Sequence, residues 1–151
     1  MEFFNESIRN LISQNVDINV NFEYEKFKVG RSNITFKIFD DNNTYVLRRP
    51  PYGEKLESAH NMSREYKIID VLSKNNIKVP NPVFLYTEKE VCEDDFYIME
   101  YIGGETISTN IEADKYSDKD KKIISTSFIE TVSTIHNFDV VNSELSDLGK
   151  H

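Results

Sequence analysis

Thr44-Tyr-Val-Leu-Arg48-Arg49-Pro50-Pro51, followed downstream by Arg64-Glu65-Tyr66, is the stretch on which the fold turns. Tyr45, Val46 and Leu47 favour extended backbone, and the tandem prolines remove the donors a longer ladder would need. A strand therefore spans Thr44 to Arg48 and ends on a cation. Glu65 follows 17 residues after Arg48. It lies in a segment where Ala59, Met62, Tyr66, Ile69 and Leu72 recur at steps of three and four. That periodicity predicts a helix from about Ser58 to Lys74, with Ser58 as its N-cap and Asn75-Asn76 as its end. A helix laid over the sheet can bring its carboxylate against the cation.

Working outward, Asp40 to Asn43 is a tight turn, and Ile34 to Phe39 before it is a second strand. Val29 to Asn33 is another turn, preceded by an imperfectly alternating strand over Phe22–Phe27. Phe4, Ile8, Leu11 and Ile12 share one face of a short helix between Phe4 and Gln14. Downstream, Val79-Pro80-Asn81-Pro82 is an extended linker. Val83 to Tyr86 and Phe96 to Tyr101 are two further strands around an acidic loop, Glu88 to Asp95. Gly103-Gly104 breaks the chain. A last helix runs from Asp118 to Asn137, opened by the capping pair Ser117 and Asp120, with Ile124, Phe128, Val132 and Ile135 as its expected buried face. The simplest packing is α+β: a five-stranded antiparallel sheet with one helix across it, plus an N-terminal and a C-terminal helix.

A chain of 151 residues with 38% apolar content, ten Phe and eight Tyr can build one core. The single cysteine, Cys92, rules out an internal disulfide and suits a reducing compartment. Its acidic neighbours Glu93, Asp94 and Asp95 should hold it as a thiol, and those three carboxylates lack the alternate spacing of a calcium loop, so they are expected to form a solvated turn. No apolar run reaches the roughly 18 residues of a membrane span, and the first residues lack the features of a signal peptide. The expected location is cytoplasmic, with no membrane partner. The net charge of −8 resides wholly in residues 76–151, which carry 7 basic and 15 acidic side chains, against 11 of each in residues 1–75. Nucleic-acid binding calls for the opposite sign.

Five motifs occur in order: Gly30-Arg-Ser-Asn-Ile-Thr-Phe36, Tyr45-Val-Leu-Arg-Arg-Pro-Pro-Tyr-Gly53, Ser58-Ala-His60, Arg64-Glu-Tyr66 and Phe96-Tyr-Ile-Met-Glu100. Together they resemble the N-terminal lobe of the aminoglycoside phosphotransferase and choline kinase superfamily, a branch of the protein-kinase-like fold. The likeness is greatest to the phosphotransferase domains associated with acyl-CoA dehydrogenases, and it extends from about Val20 to Lys150. It implies a kinase-like lobe over residues 1–102, then a hinge exit and the first helical part of a second lobe over 103–151. The family's catalytic loop has the form His-Gly-Asp-x-x-x-x-Asn. None of His60, His136 and His151 opens such a loop, and His136 resembles the family's Leu-His pair at a helix end.

The resemblance assigns candidate nucleotide contacts. Arg48 would bind an α- or β-phosphate oxygen, with Glu65 orienting its guanidinium. Spacing alone favours a plain surface ion pair worth at most about 1 kcal/mol, and it is the surrounding motifs that turn the reading toward a phosphate contact. Gly30, Ser32 and Asn33 would form the turn covering the nucleotide, although Gly-x-Ser-Asn is also an ordinary hairpin turn. Met99, Glu100 and Ile102 would form the interlobe hinge, two of them through backbone groups on the adenine edge. The competing reading there is an edge strand that simply ends. His60 could touch a phosphate or be a plain first-turn histidine. Arg49 should face the other side of the sheet, as a structural or solvent residue.

Phosphoryl transfer depends chiefly on neutralising charge. The implied function is therefore the nucleotide lobe of an ATP-dependent small-molecule kinase, with magnesium and a hydroxyl acceptor engaged by residues of the second lobe. The chain alone is expected to be inactive. The alternative is a truncated, non-catalytic module that binds nucleotide or a partner. In either case, exposed apolar surface meant for the second lobe should promote self-association.

Overall fold

The computed structural model describes residues 3–27, 33–53, 60–107 and 109–148. The five strands are β1 (Glu23–Lys26), β2 (Ile34–Phe39), β3 (Thr44–Arg49), β4 (Pro82–Tyr86) and β5 (Phe96–Glu100). They form one antiparallel sheet in the order β1-β2-β3-β5-β4. The helices are α1 (Glu6–Asn15), α2 (Met62–Lys74), α3 (Asn110–Ala113) and α4 (Asp118–His136).

Register decides what each face of the sheet carries. Phe36 pairs with Leu47 and Leu47 with Ile98, so these residues point to one side. There they meet Phe4, Ile8 and Ile12 of the α1 segment in a continuous core. Ile12, Ile38, Leu47 and Ile98 are fully buried, each contributing about 1.5–3 kcal/mol of transfer free energy. Arg9 fastens α1 to the sheet. Its guanidinium donates to the carbonyls of Phe4 and Phe22 at 3.1 and 2.8 Å and stacks 4.6 Å over the Phe22 ring. The other face carries Thr35, Arg48 and Tyr97, which lie side by side across β2, β3 and β5. Over this face, against β4 and β5, packs α2.

The β2–β3 turn is built as its sequence predicts. The Asp40 carboxylate accepts the backbone N–H groups of Asn42 and Asn43 at 2.8 and 2.7 Å. Those bonds, with a third from Asn19, hold the carboxyl below its usual pKa. The helix expected from Ser58 begins at Met62, capped by Asn61 Oδ1 on the Arg64 N–H at 2.8 Å. The Ser58 cap lies outside the described residues. β1 is shorter than expected, because Phe22 turns into the core ahead of the ladder.

Two expectations are corrected. The acidic loop is not simply solvated: Asp94 pairs with Arg49, and Asp95 with Lys89. The stripe expected to be buried on α4 is open. Ile124 is 41% exposed, Phe128 68% and Ile135 40%. Instead, Ser127, Thr131 and Thr134 of α4 line a cavity of about 240 Å³ shared with Asn76, Ile77 and Lys78 after α2. Val132 of the apolar stripe is half-buried, like Thr131 beside it, and the rest of that stripe is open.

Candidate functional site

Arg48 sits next to last in β3, where its side chain rises toward α2 rather than into the α1 core. Glu65 occupies the first turn of α2, where a carboxylate also complements the helix dipole. Arg48 Nε lies 2.8 Å from Glu65 Oε2. It lacks the alignment of a hydrogen bond, so the contact is an ion pair. Both side chains remain about one-third exposed, at 32% and 30%, so the guanidinium is oriented yet reachable from solvent.

Glu65 is the hub of a larger network. Its Oε1 accepts from Asn33 Nδ2 at 2.7 Å, and its Oε2 accepts from the Tyr97 hydroxyl at 3.1 Å. Asn33 Oδ1 in turn lies 2.8 Å from His60 Nδ1. A carboxylate only accepts, so Asn33 must turn its NH₂ to Glu65. Its oxygen then faces His60, whose Nδ1 must carry a proton and donate. Burial pushes the Tyr97 phenol above its ordinary pKa, Glu65 adds to the rise and Arg48 opposes it. Tyr97 therefore donates to the carboxylate at neutral pH and does not compete with it as an anion.

The geometry brings together Arg48, Glu65 and Asn33, with His60 as an outer member. Gly30 and Ser32 lie outside the described residues. Met99 is on the Arg48 face of the sheet, opposite Val46. Glu100 is not aimed at that face; its carboxylate accepts from Asn81 Nδ2 at 2.8 Å and its N–H donates to the Asn81 carbonyl at 2.8 Å. This fixes the start of the segment that leaves the sheet. Ile102 is 59% exposed. Tyr97 lies within the Phe96–Glu100 motif, but chain order alone does not set it beside Arg48. Its placement follows from the Arg48–Tyr97 register, which exists only because β5 inserts beside β3.

Arg49, one residue on, points to the opposite face and is 1% exposed. It pairs with Asp94 and lies between two rings, 4.5 Å from Phe3 and 4.1 Å from Tyr52. Burial lowers its pKa from the usual arginine value, with Tyr52 opposing that fall. It is the structural member of the dipeptide.

Among the described residues no group of three or more His, Cys, Asp and Glu side chains is placed to hold a metal ion. Among them, too, no helix is long and apolar enough to cross a membrane.

A strand cation held by a helix carboxylate is a pair also used in kinases, where a β3 lysine meets a glutamate of the helix that follows. Residues 23–151 match the model of the phosphotransferase enzyme family, and the chain belongs to that family. It is 29% identical over 124 residues to the human acyl-CoA dehydrogenase family member 11, covering 82% of this chain and 16% of that protein. Mouse acyl-CoA dehydrogenase family member 10 is 30% identical over 128 residues, covering 85% of this chain and 12% of that protein. The Arabidopsis thaliana acyl-CoA dehydrogenase homologue IBR3 is 29% identical over 134 residues, covering 85% of this chain and 16% of its own. The crystal structure of a candidate aminoglycoside phosphotransferase from Ralstonia eutropha superposes with a TM-score of 0.73 at 28% identity. It is matched over 96% of this chain and 41% of its own. The chain thus spans a small part of its relatives: less than one-fifth of the acyl-CoA dehydrogenase proteins and under half of the solved structure.

Proposed function

We propose that this chain is the nucleotide-binding portion of an ATP-dependent phosphotransferase. Arg48 receives a phosphate oxygen, and Glu65 holds the guanidinium in place. The observation that carries this reading is the network itself. Arg48 is held by Glu65, and Glu65 is fixed by Asn33 and Tyr97, while the guanidinium stays open to solvent. A merely structural ion pair has no need of so many supports around an accessible cation. Met99, Glu100 and Ile102 would lie along the base, and Gly30 and Ser32 over the phosphates. Bound ATP supplies the transferable γ-phosphoryl group. The catalytic base, the magnesium ligands and the hydroxyl acceptor's site would come from chain beyond these residues, because no His-Gly-Asp sequence is present.

The direct test is titration of the chain with ATP, monitored calorimetrically and by amide chemical shifts. Saturable binding that perturbs the Arg48, Glu65 and Met99–Ile102 signals is expected. Flat heats and unmoved signals at millimolar ATP would defeat the reading.

A second reading concerns α4 and does not exclude the first. Its stripe of Ile124, Phe128 and Ile135, with Ile129 at 65% exposure beside it, is apolar surface of the kind that seeks a partner. We infer that this stripe seats a further part of a kinase-like enzyme, since the chain covers only 41% of the solved relative. Without that part, the isolated chain should self-associate as its concentration rises. Phe128→Lys should return it toward monomer in sedimentation velocity, without changing its circular dichroism. A parent chain that stays monomeric at high concentration would count against this use of the stripe.

A further inference from the structure

The stretch 138–148, beyond α4, takes no part in the Glu65 network, yet it leans on the helix that carries Glu65. Lys67 Nζ donates to both carboxylate oxygens of Asp147, at 2.8 and 3.0 Å. That bond holds the Asp147 carboxyl below its usual pKa. Val71 and Lys74 of α2 share the walls of a cavity of about 340 Å³ with Phe138 and Glu144. Leu145 is 6% exposed, although no residue of α4 itself is buried. The stretch also has its own internal geometry. Asp139 accepts the backbone N–H and the side-chain NH₂ of Asn142, at 3.1 and 2.7 Å.

Lys67, Val71 and Lys74 follow at steps of four and three, so they form one stripe of α2. At 100° per residue this stripe lies well round the helix from Glu65, on the side away from Arg48. α2 is therefore gripped along two lines, by the sheet and by this strap. A helix held along one line can roll on it. A roll of about 20° carries a side-chain tip some 5–6 Å from the axis through about 2 Å. That is enough to separate Glu65 from Arg48.

We propose that residues 138–148 form a brace that fixes the roll of α2, and through it the Arg48–Glu65 pair, with Leu145 and Asp147 as its positioning residues. The brace itself rests on geometry alone. Only its consequence for nucleotide affinity depends on the proposed function.

The test is amide hydrogen exchange on the full chain, together with the NMR signal of the Arg48 Nε–H group, which reports its carboxylate partner. Asp147→Lys should speed exchange across α2 by about fivefold, the effect of one exposed ion pair. It should also move the Arg48 signal, while leaving the Ile38 and Leu47 amides of the sheet unchanged. Lys67→Asp combined with Asp147→Lys should restore both readouts. Leu145→Ala should act in the same direction and more strongly, on the order of a hundredfold in α2 exchange. Should that variant unfold, the surface charge swap still decides. An unmoved Arg48 signal with unchanged α2 exchange in Asp147→Lys would overturn the brace, as would equal acceleration of the sheet amides. If the parent chain fails to bind ATP, the proposed function falls, but these two readouts still judge the brace.

Discussion

Replacing Asp94 with alanine lowers the folding stability by about 3–5 kcal/mol, because it leaves the Arg49 charge buried without its counter-ion. Arg49 is 1% exposed, so water cannot take the place of the carboxylate. Its Nε and Nη1 have no hydrogen-bond partner, and Phe3 and Tyr52, whose rings lie against it, carry no full negative charge to replace the carboxylate. The loss should therefore far exceed the 1 kcal/mol or less of an exposed pair. Removing both charges is a different experiment. The Arg49→Met, Asp94→Ala double variant should recover most of the loss, since an apolar side chain suits a site against Phe3 and opposite Ile34 in the sheet. Urea denaturation followed by far-UV circular dichroism measures all of these, the chain having no tryptophan. A loss below about 1 kcal/mol for Asp94→Ala would mean that Arg49 finds other compensation.

Arg48→Ala leaves the fold intact and weakens ATP binding by about ten- to a hundredfold. That range corresponds to the 1.5–3 kcal/mol of a hydrogen bond to a charged group. The side chain is one-third exposed and its ion pair is of the surface kind, so stability should change by less than about 1 kcal/mol. Arg48→Lys should rescue only part of the affinity, since an ammonium cannot reproduce the planar fork that Glu65 orients. Glu65→Gln should fall between parent and Arg48→Ala: the guanidinium remains, but its charged anchor is lost. Calorimetric titration gives the affinities, and circular dichroism confirms the fold. Equal ATP affinity in Arg48→Ala and the parent would remove Arg48 from the site.

The opposite effects of two adjacent arginines show how much was legible in the chain. Alternation along a strand places Arg48 and Arg49 on different faces, and the tandem prolines mark where the strand stops. Periodicity put Glu65 on a helix, and the motifs in order named the family. Depth was harder to read. Nothing local says that Arg49 is buried, because its partner Asp94 lies 45 residues away, in a loop whose acidic run looked solvated. The place of Tyr97 beside Arg48 is hidden for a related reason: a sequence displays strands in chain order, whereas the sheet sets β5 beside β3. The α4 stripe was misjudged because periodicity shows which side of a helix would bury, not whether anything is there to cover it. Gly30 and Ser32 lie outside the described residues.

The dipeptide also separates two properties that usually move together when salt is added. The Arg48–Glu65 pair opens to solvent and is within reach of mobile ions, whereas the Arg49–Asp94 pair is shielded by Phe3 and the sheet. Added electrolyte screens the first and scarcely touches the second. From low to high ionic strength the anion site should therefore weaken while the urea midpoint barely moves. One codon pair in one strand thus yields a lobe whose grip on a phosphate is tunable by its medium and whose architecture is not.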